Sequence, residues 1–287
     1  ALVERARRLG TLPGFIVRGP DGDLRGWTYY LLHHGSLQIG AVSALADEDT
    51  EALIDAVLAS PESAVADDVT LFAFASAPGV EAHLGRRGFI VERYRYLRRP
   101  IDADRTPATS VTDLVGGEPA GAARLDRTAL AALLEGAYPR EPGARPFARA
   151  GGSEAWLEYV TQLLTTAGCG AFLPECSVIE DEDGRPTAAA LVTRIAPDTA
   201  HLAQIAVARG AQARGRGRRL LETALARADR SGFTAMTLLV SDGNAAARRL
   251  YEGLGFEMVT SFVSAVRDQP RRLSSVALET GGAMTLR

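Results

Sequence analysis

One succession of elements occurs twice along the 287 residues, and that repeat restricts the fold more than any other feature. In the first copy GFIVRG and WTYYLLHH read as a strand hairpin, and SLQIGAVSAL (36–45) reads as a third strand. TEALIDAVLA (50–59) carries apolar residues at helical spacing, VTLFAFAS (69–76) is a strand, 79–87 is a helix ending at Gly88-Phe89, and IVERYRYLRR is a strand. In the second copy CSVIED turns at Glu182-Asp183-Gly184 and returns as TAAALVTRIA. HLAQIAVA (201–208) follows, then a helix over 216–230, the strand TAMTLLVS (234–241), a helix over 244–254 ending at Gly255-Phe256, and the strand FEMVTSFVSAV. Duplication of a whole domain is the simplest account.

Two further helices open the second copy, with Asp126 as N-cap of TALAALLEGAY and Ser153 as N-cap of EAWLEYVTQLL. Residues 2–9 read as a short helix and the tail 273–287 as one more strand, which could complete the sheet of the first copy. The stretch 101–121 is rich in Pro, Gly, Thr and Ala, as a linker would be. The expected domains are therefore 1–100 and 122–287, joined by 101–121.

Composition removes several function classes. Net charge is -3 and all 32 cationic residues are Arg, which reads as the codon bias of a GC-rich bacterial genome. A nucleic-acid binder would carry a net basic surface. No run approaches the ~20 apolar residues of a membrane span, and the first residues carry no apolar core of signal-peptide type. The two cysteines, Cys169 and Cys176, make neither a disulfide framework nor a zinc spacing. These features predict a cytoplasmic protein with no metal, no nucleic-acid partner and no membrane partner; the oligomeric state is not legible.

The chemistry is concentrated between 201 and 256. QARGRG, Gln212 to Gly217, joins a strand to a helix. A glycine-rich turn entering a helix presents free backbone N–H groups and the positive end of the helix dipole, which suit a pyrophosphate. Gly215 and Gly217 let an anion approach the backbone, and Arg214 and Arg216 add positive potential. Further on, NAAARRLYEGLGF places Asn244 and Tyr251 seven residues apart, on one helix face.

Strand, QxxGxG, helix, strand and N-x6-Y-x3-GF in this order resemble the GNAT superfamily of Gcn5-related N-acetyltransferases. The resemblance is specific over 201–256 and extends over roughly 120–270, and the duplicated layout is similar to tandem proteins such as mycothiol synthase. It implies an α/β (α+β) chain of two GNAT-like domains, each a mixed, mainly antiparallel sheet flanked by helices. It implies acetyl-CoA as cofactor. Ile205, Ala206 and Val207 would pair with the pantetheine arm. Gln212, Ala213, Arg214, Gly215, Arg216, Gly217 and Arg218 would hold the pyrophosphate, and Asn244 and Arg248 would also contact the cofactor. Tyr251 would protonate the leaving thiolate. The usual Pro two residues after the strand valine is Arg209 here.

The amine acceptor must lose a proton. His201 occupies the position of the glutamate base in the histone-acetylating branch of the family, and Glu175 is a second candidate. Tyr138, with Glu135 beside it, lies where early helices line the acceptor groove. The acceptor is a small-molecule or peptide amine of unspecified identity, attacked in a ternary complex without a covalent enzyme intermediate. A non-catalytic CoA-binding sensor is the alternative reading.

The first copy carries neither motif. Leu84 falls where Tyr251 stands, Ala77 where Asn244 stands, and Asp47-Glu48-Asp49 replace the anion cradle. Residues 1–100 are thus expected to be a degenerate GNAT-like domain that does not bind CoA.

Overall fold

The computed structural model describes residues 8, 12–33, 35–74, 78–101, 126–138, 152–165 and 169–268. The readings at 2–9 (save Arg8), at 273–287, at Ala77 and over most of 101–121 lie outside the described residues. Packing divides the chain into two compact units, with breaks at Thr70/Leu71 and Val266/Arg267.

In the first unit β1 (Gly14–Arg18), β2 (Leu24–His33) and β3 (Ser36–Ala44) form an antiparallel meander. Helix α1 (Asp47–Leu58) packs on it, burying Leu53, Ile54 and Val57. The helix begins three residues after β3, with no glycine turn between them. Its first turn holds Asp47, Glu48 and Asp49, and Asp49 is buried 3.0 Å from Arg25. Carboxylates already sit on the positive end of this helix, where a phosphate would otherwise be stabilised. A one-turn helix, α2 (Pro61–Val65), capped by Ser60, leads to β4 (Asp68–Phe74), along which the first unit ends.

The second unit contains α3 (Pro78–Arg86), β5 (Ile90–Pro100), α4 (Arg127–Ala137), α5 (Ser153–Thr165), β6 (Ala171–Phe172), β7 (Val178–Glu182), β8 (Arg185–Ala196), β9 (Thr199–Val207), α6 (Arg216–Arg230), β10 (Ala235–Ser241), α7 (Ala245–Glu252) and β11 (Glu257–Asp268), which runs two residues past its end. Strand order is β11-β5-β10-β9-β8-β6, with β7 also on β8. Every neighbouring pair is antiparallel except β9 and β10. The turn Asp183-Gly184 has φ of 53° and 75°, which suits a tight hairpin between β7 and β8.

β5 belongs to the first sequence copy yet lies between β10 and β11 of the second. Sequence repeat and packing therefore mark different divisions. The repeat ends near 100, whereas the compact unit begins at Leu71 because its sheet takes in the last strand of the first copy.

Two cores sandwich this sheet. On one face α6 and α7 bury Leu220, Leu221, Ala224 and Tyr251 against Leu97, Met236, Leu238 and Val240. On the other, α4 and α5 bury Leu130, Leu134 and Trp156 against Ala189, Leu191 and Ala206. Trp156 is 2% exposed, stacks on Tyr138 (5.5 Å between ring centroids) and meets Tyr159 edge-on (5.9 Å). Trp156→Ala is expected to cost about 3–5 kcal/mol, read as a lower denaturation midpoint in urea, because the vacated volume cannot be refilled by rigid phenols.

Candidate active site

Strand β9 and its parallel neighbour β10 pair only from Thr199/Ala235 to Leu202/Leu238, although β9 runs on to Val207 and β10 to Ser241. The strands thus part into a fork. A bulge in β9 between Leu202 and Gln204 coincides with the parting. Ala208 N–H donates to Thr187 O, and the ladder continues as Val207↔Ala188, Ala206↔Ala189 and Ile205↔Ala190. Antiparallel hydrogen-bonded pairs alternate, so the peptide groups of Ile205 and Val207 point away from β8 into the fork, while those of Ala206 serve the ladder. Two side chains already meet this edge. The Tyr138 hydroxyl donates to Ile205 O (3.2 Å), and Gln212 Nε2 donates to Val207 O (2.9 Å).

Beyond β9 the chain makes one turn of 3-10 helix, Arg209–Ala211, and then the glycine-rich turn. Ala213 has φ of 59° and Gly215 has φ of 75°, with Gly215 serving as N-cap of α6. Left-handed residues placed between right-handed ones turn successive N–H groups to one side and make an anion-binding concavity. Among the described residues, the backbone N–H groups of Ala213, Arg214, Gly215, Arg216, Gly217 and Arg218 have no protein acceptor; the first bond of the helix is Arg219 N–H to Gly215 O (3.1 Å).

The arginines around this cradle do not act alike. Arg216, expected to add positive potential, is drawn back onto the β7–β8 hairpin by Glu182 (2.8 Å), Glu180 (3.8 Å) and Thr187 (3.2 Å). Its backbone N–H, not its charge, faces the cradle. Arg218 pairs with Glu222 one turn on (3.3 Å). Arg214 is exposed and makes no ion pair among the described residues. Arg248, on α7, has a buried Nε with no hydrogen-bond partner. A buried donor left unmade costs about 1–3 kcal/mol, which a bound acceptor would recover.

Asn244 is the N-cap of α7, and its Oδ1 accepts from Ala247 N–H (3.0 Å). Its amide NH2 is left to donate elsewhere. Seven residues on, Tyr251 is 5% exposed and packs edge-on against Phe256. The bonds Leu254 N–H and Phe256 N–H to Tyr251 O, with Gly255 at φ 80°, close the helix and fix the start of that ring. The Tyr251 hydroxyl has no hydrogen-bond partner among the described residues. Burial raises its pKa well above that of a free phenol, and the nearby Tyr138 adds to the rise. Tyr138 is itself pushed up to about 12 by burial. Tyr94, Tyr159 and Gln204, whose Nε2 donates to the Tyr159 hydroxyl (2.7 Å), were not among the residues singled out by sequence.

His201 lies one rung below the parting of the strands, opposite Thr237. Its Nδ1 is 2.9 Å from the Thr237 hydroxyl, and its ring stacks on Tyr96. Thr237 donates to Ala200 O (3.4 Å), so its oxygen is free to accept from Nδ1–H and leaves Nε2 as an acceptor. Burial lowers the imidazole pKa to about 4. Between pH 6.5 and 4 the unfolded chain binds the proton more readily than the folded one. Stability from this residue is complete above 6.5 and is lost as pH falls toward 4, by about 3 kcal/mol. His201→Asn is expected to flatten that part of a stability–pH curve measured by urea unfolding.

Glu175 occupies the exposed turn before β7, beside Cys176, whose thiol lies 3.6 Å from Ser231 just past the end of α6. The cradle is at the other end of this 15-residue helix, roughly 22 Å away at 1.5 Å per residue. The structure does not bring Glu175 to the fork. Glu135 bonds Ser153 (2.7 Å), joining α4 to α5. No cluster of three metal-ligating side chains occurs among the described residues, and none of their helices is long and apolar enough to cross a membrane.

The acetyltransferase (GNAT) family model matches residues 128–256, which span the cradle, the fork and both helices of the site. This stretch is similar to the GNAT family. At the level of the fold alone the likeness covers most of the chain. A GCN5-related N-acetyltransferase from Sphaerobacter thermophilus superposes with a TM-score of 0.58 at 17% identity, over 94% of this chain and 86% of that one. A tandem GNAT protein from the clavulanic acid biosynthesis pathway, solved without AcCoA, gives 0.54 at 16% identity, over 90% and 83%. Among curated proteins no relative matches. The GNAT assignment gives Arg209, at the usual proline position, a structural reading: its Nε donates to Gly136 O (2.9 Å) in the last turn of α4. A cation there meets the negative end of a helix and ties the turn down by a contact instead of a ring. The family that this model describes carries acyl-CoA-dependent N-acyl transfer.

Proposed function

We propose that this protein transfers an acetyl group from acetyl-CoA to an amine by direct attack within a ternary complex. The observation that carries the reading is the run of six backbone N–H groups, from Ala213 to Arg218, with no acceptor in the protein. Such a run beside an open strand edge suits a pyrophosphate followed by an amide-bearing arm.

Acetyl-CoA would supply an acyl thioester activated for attack. The cradle N–H groups and Arg214 hold the pyrophosphate. The peptide groups of Ile205 and Val207 bind the arm as a neighbouring strand would, and the Asn244 amide and the Arg248 Nε add donors. Tyr251 stays protonated across the neutral range, because burial disfavours its phenolate. It donates to the sulfur as negative charge develops there. His201, neutral above pH 4, offers Nε2 to the proton that leaves the attacking nitrogen. Tyr138 lines the approach on the α4 face. The first sequence copy, with acidic residues at the start of α1, takes no CoA.

The test is a calorimetric titration of acetyl-CoA into the full chain, followed by CoA release with an amine panel. One site per chain with turnover supports the reading. Binding without turnover on any amine points to a CoA-responsive sensor, and no binding ends both.

A further inference from the structure

We propose that Glu92, carried by the strand inserted from the first sequence copy, is the carboxylate that receives the ammonium group of the acceptor. The inference rests on the acyltransferase reading and specifies its substrate class: a cationic primary amine.

Leu97 faces the α6–α7 core beside its cross-strand partner Leu238. Side chains alternate along a strand, so Glu92, Tyr94 and Tyr96 project from the opposite face. That face also carries His201, which stacks on Tyr96, and is covered farther along by α4 and α5. Tyr94 pairs with Ser241, the last residue of the β10 arm of the fork. Glu92 thus lies just past the end of that arm.

Its surroundings are unusual for a carboxylate. Glu92 is half-buried, and both oxygens are met by hydroxyls, Oε1 by Ser241 and Oε2 by Tyr94 (3.4 Å). Ser241 is held in turn, its oxygen accepting from Gly243 N–H (3.1 Å). No cation pairs with Glu92 among the described residues. The flanking arginines are committed elsewhere, Arg93 to Glu81 and Arg95 to Asp242 (2.5 Å). Two neutral donors orient the carboxylate without cancelling its charge. Partly buried charges are normally paired, and the missing partner here is a cation.

Aromatic rings complete the site. Tyr94 stacks on Phe262 of β11 (5.3 Å), and the Tyr138 hydroxyl reaches the fork edge at Ile205 O. A carboxylate beside aromatic faces suits an alkylammonium ion, which gains both ion pairing and cation–π attraction. An acceptor with a carboxylate next to its amine would be repelled.

The experiment uses the full chain, with wild type, Glu92→Gln and Glu92→Asp compared. Acetyl-CoA is titrated first. Its affinity is expected to be the same in all three, whereas absence of binding in all three would sink the acyltransferase reading and this inference with it. Each protein saturated with CoA is then titrated with n-butylammonium chloride, with n-butanol as the uncharged control. Wild type is expected to bind the ammonium and not the alcohol. Glu92→Gln is expected to weaken ammonium binding about 10- to 100-fold, and Glu92→Asp to keep a measurable part of it. Equal ammonium binding by wild type and Glu92→Gln, or no preference for the ammonium over the alcohol, overturns the assignment while leaving the cofactor site standing.

Discussion

Gly215→Glu is expected to remove measurable acetyl-CoA binding while the protein stays folded. The position is the exposed N-cap of α6, with φ of 75° and open space where a Cβ would stand, the nearest atom being Arg219 NH1 at 4.0 Å. Two effects act there. A side chain in the left-handed region costs about 1–2 kcal/mol, and this falls mainly on folding stability. The new carboxylate also stands at the centre of the N–H cradle. At about 4 Å and an effective dielectric constant near 20, each unit of phosphate charge is opposed by about 4 kcal/mol, roughly a thousandfold in Kd. Gly215→Ala separates the two. It carries the backbone cost without the charge, so calorimetry should show acetyl-CoA binding largely retained with a lower melting temperature. If Gly215→Glu binds as wild type does, the pyrophosphate lies elsewhere and the six unpaired N–H groups need another explanation.

The parts of this site that were legible in the sequence are those whose chemistry is local. The cradle is written in consecutive residues, because glycine and the start of a helix settle the backbone within a few positions. Asn244 and Tyr251 sit on one short helix, and their separation is a fixed number of turns. The capping role of Asn244 is equally local, since its side chain reaches only Ala247. The hairpin at Asp183-Gly184 needed nothing beyond its own two residues.

What could not be read was long-range. Arg216 looked like a phosphate ligand because it stands beside the glycines, but the hairpin of β7 and β8 supplies two carboxylates that take its charge. Nothing within 30 residues of Arg216 announces that contact. Glu175 precedes a strand, the placement that made it a candidate base, yet the turn that holds it packs near the far end of α6. The placement of β5 is the largest case. ERYRY alternates acid and phenol with arginine, a period-2 signal that puts Glu92, Tyr94 and Tyr96 on one face. The alternation does not reveal that this face adjoins the fork of the second copy. That depends on which strand β5 pairs with, 147 residues away in the contact of Arg95 with Asp242. A duplicated sequence suggests two self-contained sheets, and a strand lodged between β10 and β11 is visible only in three dimensions.

Tyr251→Phe is expected to lower kcat about 100- to 10,000-fold, the usual worth of a positioned general acid, with acetyl-CoA affinity unchanged. This substitution discriminates because the hydroxyl has no partner within the fold. The ring is buried against Phe256 and the α6–α7 core, and phenylalanine preserves all of that packing. Thermal stability should therefore match wild type, since no internal hydrogen bond is broken. Any rate loss then reports on chemistry alone. The raised pKa fixes the expected pH behaviour. A phenol held well above its ordinary value by burial stays protonated through pH 9, so the wild-type rate should show no alkaline decline attributable to Tyr251 in that range. Donation to the sulfur is feasible although burial raises the phenol, because a thiolate in the same dry site is disfavoured for the same reason. Burial raises both thiols of this protein, Cys169 and Cys176, in the same direction. A Tyr251→Phe protein that releases CoA at the wild-type rate would remove the phenol from the chemistry and leave it as a core aromatic with an idle hydroxyl.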